Sequence, residues 1–334
     1  MVKADCFRFR LDPNEIVPEF AAYQLSANAL AASGYFATGS TRSRMNLSTT
    51  AARKIALPPV AEQHVIVSFL NHETAKFDAM VAKKERLLEL FQEKRTALIT
   101  RAVTKGLDLD VPMKDSGVDW LGEIPSHWEM KRVAELALSL QTGPFGSQLH
   151  AADYITGGVP VINPADLISG TLVPDLDRTV DEPTAIRLGF HKLLQGDILF
   201  ARRGDVGRCS LVGKQHEGWL CGTGCLRMRP CPKSAESSYL LNLLSTQGVG
   251  DWLGNESVGS TMQNLNTSII GAIPVAVPGL AEQRRISEFL DHETTKVDAL
   301  MAKVHEAVDR FKELRTALIA AAVTGKIDVR ETLA

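Results

Sequence analysis

Residues 289–303 read FLDHETTKVDALMAK, and residues 69–83 read FLNHETAKFDAMVAK. Setting Ala61 against Ala281 extends this match without a gap, so that residues 39–108 align with residues 259–328. Moving the register by one residue also matches CFRFR at Cys6 with CLRMR at Cys225. Long internal repeats indicate a duplicated architecture. The duplicated segment is therefore larger than one helix.

The repeated helices carry hydrophobic residues at heptad spacing, which predicts a coiled-coil partner. Each helix of about 40 residues would be about 60 Å long. Glu293 interrupts the second seam, and Lys84 and Lys94 weaken the first. The two copies are expected to pack on each other as an antiparallel coiled coil. The seam residues of the second copy are Ile286, Leu290, Val297, Leu300, Val304, Ala307, Phe311, Leu314, Leu318 and Ala321, and those of the first are Ile66, Leu70, Phe77, Met80, Leu87, Phe91 and Leu98.

Polar residues of the helices are repeated as well, although packing of a seam does not require this. In an antiparallel pair they would form two equivalent surfaces related by a pseudo-twofold axis, which suits two copies of one partner. The alternative is that the duplicated copies have simply not diverged at these positions. The predicted partner-binding residues are His72, Glu73, Lys76, Asp78, His292, Glu293, Lys296 and Asp298.

Composition indicates a chain of ordinary globular character. The 334 residues are 45% hydrophobic and 23% charged, with no apolar run of membrane-spanning length. No leader pattern begins the sequence, and the five cysteines are irregularly spaced, so we expect a reducing cytoplasm. The net charge of -2 means that any binding of nucleic acid must depend on local basic patches.

The pattern between the helices changes to short strands broken by turns, with one helical stretch beginning at Ser237, which predicts a mixed α+β domain. The overall fold class is therefore α+β, with such domains joined by the two long helices. The predicted boundaries are 1–56 for a partial first domain, 57–105 for the first spacer helix, 106–124 for a linker, 125–278 for the second domain, 279–325 for the second spacer helix and 326–334 for a tail.

Candidate DNA contacts occur mainly on predicted loops. LFARRGDVGRCSLVGK places basic residues around a hairpin tip, where they could contact phosphates or guanine, or simply form a solvated turn. GPFGSQL at Gly143 adds small and amide side chains, and GSTMQNLN at Gly259 offers groups that could bind DNA or cap a helix. The candidates are Ser147, Gln148, Arg202, Arg203, Arg208, Lys214, Arg227, Ser260, Thr261, Gln263 and Asn264.

Motifs for chemistry are not found in the sequence. There is no phosphate-binding G-x-x-x-x-G-K-[ST] loop and no G-x-G-x-x-G turn, and NPAD at Asn163 lacks the final aromatic of methyltransferase motifs. Only Cys221 and Cys225 approach zinc-ligand spacing, so buried free thiols are favoured over a metal site. The sequence predicts a binding protein without catalytic residues, cofactor or metal.

These residues resemble the specificity subunits of type I restriction-modification systems. The resemblance is carried by WLGEIPSHWEMKRV at Trp120, GPFGSQL, GDILFARRGDVGR at Gly196, GSTMQNLN and the two AEQ-initiated helices at Ala61 and Ala281. It implies two target-recognition domains that each read one half of a split DNA sequence. It further implies helices that act as a ruler and dock two methyltransferase subunits, which would supply S-adenosylmethionine and the chemistry, with restriction subunits joining the complex.

The chain departs from this pattern before the first helix. Residues 1–56 match only the last third of the second domain. A start codon placed too late, or a shortened or rearranged gene, would explain this short first domain. One alternative function is a silent remnant that docks methyltransferase without reading DNA productively. Another is dimerisation of two chains, with each second domain reading one arm of a symmetric site.

Overall fold

The computed structural model describes residues 9–36, 54–168, 170–203, 207–256 and 265–330, with side chains in the first helix described up to residue 27. The chain divides into two compact units, Met1–Gln92 with Asp298–Ala334 (unit 1) and Glu93–Val297 (unit 2). Helix α1 spans Pro18–Phe36, and the long helices α2 (Val60–Lys105) and α7 (Leu280–Val323) contribute to both units. Within the described ranges, no helix has the length and apolar character needed to cross a bilayer.

Unit 1 packs α1 against one segment of each long helix. Its core contains Val17, Phe20, Ile66, Val67, Phe69, Leu70, Ile319, Ala322, Val323 and Val329. Further along α2, the ring centroids of Phe77 and Phe311 lie 6.4 Å apart, and the carboxylate of Glu85 lies 3.5 Å from Nζ of Lys312. Ile66 and Leu70, near the start of α2, share the core with Ile319 and Val323, whereas Phe77 meets Phe311, so residue numbers on α7 fall as those on α2 rise. The two helix segments therefore run antiparallel in this unit, as the sequence predicts.

The seam in unit 1 differs in part from the heptad prediction. Leu300 and Leu314 were expected to be in the seam but are 47% and 48% exposed, and Met80 is 45% exposed, whereas Val304 and Val308 are buried. Two packed helices bury only a narrow stripe along each helix. The predicted positions Leu300, Leu314 and Met80 lie at the margin of that stripe.

Unit 2 is a mixed α+β domain, as predicted. Its short helices are α3 (Glu182–Arg187), α4 (Ser237–Leu244), α5 (Gln247–Glu256) and α6 (Thr267–Ala272). Its strands are β1 (Met113–Asp115), β2 (Glu123–Pro125), β3 (Glu129–Arg132), β4 (Ala137–Thr142), β5 (Tyr154–Ile155), β6 (Val159–Ile162), β7 (Leu167–Ile168), β8 (Thr171–Leu172), β9 (Thr179–Val180), β10 (Ile198–Ala201), β11 (Cys209–Leu211), β12 (Leu220–Cys221), β13 (Cys225–Pro230) and β14 (Pro274–Val277).

A four-stranded antiparallel sheet in the order β11-β10-β13-β4 forms the centre of unit 2. Side chains alternate between its two faces. Phe200, Leu226 and Met228 pack into the main core with Trp128 and helices α4 and α5, while Leu199, Ala201 and Cys225 pack into a second core on the other face. A smaller sheet, β12-β6-β9-β5, completes the domain together with the strand pairs β1-β2, β3-β14 and β7-β8.

Residues 106–124, predicted as a linker, are packed onto unit 2. Strand β1 in this segment pairs with β2, with Lys114 opposite Ile124. Leu121 is 3% exposed and Ile124 is fully buried, and both belong to the main core. The apolar residues of this segment were not recognised as a folded element because the strands are short and isolated in sequence.

Candidate nucleic-acid interface

Four strand ends of the central sheet meet at one side of unit 2. Thr142 at the end of β4 lies opposite Leu226, and Cys225 at the start of β13 lies opposite Ala201 at the end of β10. Cys209 at the start of β11 lies opposite Phe200. The loops that leave these strands therefore share one end of the sheet. We call this surface the loop edge and define it by residues 143–149, 202–203, 207–208 and 222–224.

Close backbone packing fixes the loop edge at Gly143. Its N–H donates to the carbonyl of Cys225 at 3.0 Å, and a Cβ atom at this position would lie only 1.8 Å from the carbonyl oxygen of Gly222. A side chain at position 143 cannot be accommodated without moving one of the two loops. Glycine is required here because two backbones approach each other, and this contact joins residues 143–149 to residues 222–224.

The next residues form a tight turn. The carbonyl of Phe145 accepts from the N–H of Gln148 at 2.8 Å, and the Oε1 atom of Gln148 accepts from the N–H of Phe145 at 2.9 Å. Leu149, 5% exposed, anchors the end of the turn in a small core. Ser147 is exposed. The structure thus presents Ser147 and Gln148 on a loop held at both ends.

Two neighbouring arginines of the hairpin tip have different environments. Nε of Arg202 donates to the carbonyl of Leu265 at 2.8 Å, and the N–H of Leu265 donates to the carbonyl of Arg202 at 3.1 Å. Partial burial, and then the charge of Arg203, lower the pKa of Arg202. Arg203 is exposed. Arg208 donates to the carbonyl of Pro164, so Arg202 and Arg208 connect loops while Arg203 faces solvent.

Lys214 does not lie at the loop edge. Strands β10 and β11 form the predicted hairpin, and the chain returns along β11 so that the N–H of Gly196 donates to the carbonyl of Val212. Lys214 follows in a short 3₁₀ helix at the end of the hairpin opposite to Arg203. The sequence prediction that grouped both residues around one tip is corrected by the antiparallel return of the chain.

Arg227 is used inside the domain. It is 5% exposed, and its guanidinium donates to the carbonyls of Phe190 and Lys192 and to Oε1 of Gln141. Gln141 in turn lies 3.2 Å from Nδ1 of His191, whose pKa is lowered by burial and by the charge of Arg227. Arg227 is therefore not part of the proposed interface.

The candidates Ser260, Thr261, Gln263 and Asn264 lie outside the described residues. Leu265, the first described residue after them, forms hydrogen bonds with Arg202 at the loop edge through both its N–H and its carbonyl. Of the remaining candidates, the structure brings Ser147, Gln148, Arg202, Arg203 and Arg208 together at this edge.

The repeated polar residues of the long helices have matching local geometry. In unit 1, Nζ of Lys76 lies 2.6 Å from Glu73, and in unit 2 Nζ of Lys296 lies 2.7 Å from Glu293. His72 and His292 lie 3.9 Å from the same glutamates and are 65% and 69% exposed. The predicted polar surface therefore occurs once in each unit with the same internal arrangement.

The predicted surfaces also include two aspartates, Asp78 and Asp298. Asp78 forms an ion pair with Arg315 of the other long helix, with 2.9 Å between Oδ1 and Nε. Asp298 is exposed. Asp78 thus takes part in the contact between the helices in unit 1, and the geometry that both copies share is that of the histidine, glutamate and lysine.

Comparison with known proteins identifies the family. A family model described as type I restriction modification DNA specificity domain matches residues 1–89 and 125–310. The chain belongs to this family. It is 24% identical over 277 residues to the specificity subunit of the type I restriction enzyme EcoBI and 25% identical over 285 residues to that of EcoKI, both from Escherichia coli. Each match covers 82% of this chain but only 58% and 57% of the relative, so the chain spans less than two thirds of their length.

Solved structures support the fold of this family. A chain from a structure titled as the basis of complex assembly and conformational transition of the type I R-M system matches with a TM-score of 0.67 and 22% identity, covering 94% of this chain and 73% of that one. The HsdS subunit from Thermoanaerobacter tengcongensis matches with a TM-score of 0.50 and 20% identity, covering 94% and 71%. At these identities the likeness concerns the fold alone.

Phe145 at the specificity domain's loop edge, and Arg187, which contacts that edge, were not selected from the sequence. Arg187 on α3 donates from Nη1 to the carbonyl of Gln148 at 2.6 Å and lies 3.6 Å from Asp153. Phe145 is 65% exposed at the turn. Arg187 is far from Gln148 in sequence, so no local pattern could place it there. Phe145 stands inside a motif that was quoted, but an apolar residue in a loop does not by itself indicate exposure.

Three cysteines of this specificity domain are buried free thiols. The sequence favoured this interpretation over a zinc site. Cys209, Cys221 and Cys225 are free and buried. Burial raises the pKa of Cys209 to about 11 and that of Cys221 to about 12. Thiols in this state are protonated at neutral pH and are poor nucleophiles, because that role requires the thiolate.

Proposed function

We propose that this chain is a DNA sequence-specificity subunit of a type I restriction-modification complex, in which unit 2 reads one part of a split target. Membership of the specificity-domain family supports the proposal. The specificity subunits of EcoBI and EcoKI, which the chain resembles, bear the same role in their names. The chain spans only part of those relatives, so the support for this role has to come from its own residues.

The observation that carries the proposal is the convergence of loops at the loop edge. Residues 143–149 and 202–203, separated in sequence, meet there because β4, β13 and β10 are neighbours in one sheet. Loops positioned by a rigid sheet are a common platform for binding residues. The surface presents a guanidinium, a hydroxyl and an amide, which are groups that contact phosphates and base edges in protein–DNA complexes.

The individual groups at this edge have different capacities. Arg203 is exposed and can contact a phosphate or take the two acceptors of guanine. Ser147 can bond to either phosphate or base. Gln148 accepts one hydrogen bond within the loop through Oε1, which leaves a second lone pair on that oxygen and its amide N–H groups for DNA. A bidentate contact of Gln148 to adenine would use this second lone pair together with Nε2.

The long helices supply the proposed partner surfaces. His72, Glu73 and Lys76 in unit 1 have the same local geometry as their counterparts in unit 2. We assign each set to one methyltransferase subunit, so that two such subunits bind, and restriction subunits would join this assembly. Transfer of the methyl group from S-adenosylmethionine then takes place on the methyltransferase, and this chain supplies sequence choice.

The experiment is to express the chain with its neighbouring methyltransferase gene in a host without DNA methylation and to map modified adenines by single-molecule sequencing. We expect methylation at one defined sequence that is absent when the methyltransferase is expressed alone. A split asymmetric target would indicate two different reading surfaces in the assembly, and a split palindrome would indicate two copies of one surface. Absence of methylation, with both proteins soluble and co-purifying, would contradict DNA reading and favour the silent methyltransferase-docking alternative.

A further inference from the structure

Phe145 is a large apolar side chain that the structure holds out into solvent. It is 65% exposed, although Leu149 in the same loop is 5% exposed and anchored in a small core. Exposure of single apolar residues is common on protein surfaces and needs no explanation by itself. What distinguishes Phe145 is that the loop around it is fixed.

Three independent contacts fix this loop. The backbone at Gly143 packs against the carbonyl of Gly222, leaving no space for a side chain. Within the turn, Phe145 and Gln148 exchange two hydrogen bonds of 2.8 and 2.9 Å. Arg187, which lies on the separate helix α3, donates a hydrogen bond of 2.6 Å to the carbonyl of Gln148. The backbone that carries the phenyl ring is therefore fixed, and the loop loses little conformational freedom on binding.

The neighbours of Phe145 leave it as the dominant contact group of the loop. Gly146 has no side chain and Ser147 is small, while Gln148 accepts a hydrogen bond from the N–H of Phe145 through Oε1. Arg203 follows β10, which is separated from β4 by β13, and provides positive charge at the same edge. Positive charge at this edge attracts a polyanion, and an apolar ring on the same edge offers it a non-polar contact.

We propose that Phe145 is a specificity-determining residue whose ring contacts the 5-methyl group of one thymine in the major groove. This inference rests on the proposed function, since it names a contact made by the same DNA-reading surface. The phenyl ring has no hydrogen-bond donor or acceptor for base edges. The methyl group of thymine is the apolar feature that the major groove offers, and aromatic and aliphatic side chains recognise it by contact.

The test uses the complex of the full chain with its methyltransferase and duplexes that carry the target found by methylation mapping. Each thymine is replaced in turn by deoxyuridine, which differs only by loss of the methyl group. For the unmodified chain, we expect one replacement to weaken binding about fourfold, the effect of losing one buried methyl-sized group. In Phe145→Ala, the same replacement should have no effect, because the ring that contacted the methyl group is gone.

Leu109→Ala is the matched control. Leu109 is 70% exposed in the segment after α2 and is not part of the loop edge, so this variant should retain the deoxyuridine pattern of the unmodified chain. Equal Tm values for both variants and the unmodified protein would establish that the fold is retained, as expected for exposed side chains. Phe145→Leu, which keeps an apolar contact, should retain part of the sensitivity.

Several results would overturn the inference. One is a deoxyuridine pattern that is the same in the unmodified chain and in Phe145→Ala, and another is that no deoxyuridine replacement weakens binding of the unmodified chain. Reduced co-purification of methyltransferase with Phe145→Ala, together with an unchanged pattern, would assign the ring to partner docking instead. If the unmodified complex shows no sequence preference, the proposed function itself fails, and this is distinguishable because the failure then does not depend on Phe145.

Discussion

Gln63 and Gln283 make the same three hydrogen bonds in the two copies of the repeat. The Oε1 atoms accept from the N–H of Val17 and of Glu236 at 2.8 and 2.9 Å. The Nε2 atoms donate to the carbonyls five residues earlier, Pro58 and Pro278, and also to the carbonyls of Glu15 and Ser234. Each glutamine thus joins the start of a long helix to the segment that precedes a shorter helix.

Replacing either glutamine should destabilise the protein. Both side chains are buried, at 0% and 1% exposure, so Gln63→Leu and Gln283→Leu each leave one N–H and two carbonyls without their partner. We expect a loss of about 2–4 kcal/mol in the free energy of unfolding of the affected unit. Thermal unfolding together with hydrogen exchange at the Glu236 amide would measure the Gln283 variant. Gln92→Leu, at an exposed position of α2, is the control and should change stability by less than about 0.5 kcal/mol.

Local sequence patterns predicted much of the fold. The two long helices follow from the repeat and its heptads. The faces of β13 were not predicted: Leu226 and Met228 lie on one face, and Arg227 and Arg229 lie on the other. Alternation could not show that this second face is covered. The cover comes from Asp197 and from the carbonyl of Lys192, which both accept from Arg229, and these residues are distant in sequence.

At the candidate site, too, the sequence did not reveal which distant segments lie close together. The loop motifs at Gly143 and at the hairpin tip were recognised individually from their composition. Their proximity depends on the strand order of one sheet, and β4 pairs with β13 rather than with a neighbour in sequence. For the same reason the sequence did not separate Arg203, which is exposed, from Arg202, which is bonded to Leu265.

Stability should fall as the pH decreases below neutrality, with a contribution from His191. Burial, and then the charge of Arg227, lower the pKa of His191 in the folded protein below its ordinary value of 6.5. Between these two pKa values the unfolded chain binds more protons than the folded chain, so the contribution is complete above pH 6.5 and is lost as the pH falls through this window.

His191→Gln should therefore show a smaller loss of Tm than the unmodified protein between about pH 7.5 and 5.5. The pKa of His216 is also lowered by burial, so the variant should keep part of the dependence. His150→Gln replaces an exposed histidine and serves as the control. An unchanged pH dependence in His191→Gln would contradict the assignment.

Arg203→Ala should weaken DNA binding without affecting the fold. Because its side chain is exposed at the loop edge, its removal takes away one phosphate or base contact. We expect roughly a threefold to tenfold loss of affinity and, for a phosphate contact, a decrease of about one in the slope of log affinity against log salt. Lys214→Ala, which removes one positive charge at the opposite end of the hairpin, should leave the slope unchanged. Equal slopes for the unmodified protein and Arg203→Ala would exclude a phosphate contact.

Charge reversal on the helices should test whether two equivalent partner surfaces exist. Lys76 and Lys296 are about half exposed and each forms an exposed ion pair with a glutamate of its own helix, so Lys76→Glu and Lys296→Glu should cost little stability. Each places a second negative charge next to Glu73 or Glu293. If each surface docks one methyltransferase, either single variant should bind one copy instead of two, and the double variant should bind none at the same concentration.

Native mass spectrometry of the co-expressed complex counts the bound subunits directly. Lys233→Glu, which reverses an exposed charge in a loop of unit 2, is the control and should retain two copies. Two copies retained by both single variants would mean that the repeated polar residues persist from the duplication without a docking role. Loss of a copy from only one of the single variants would show that the two surfaces share a local geometry but not a function.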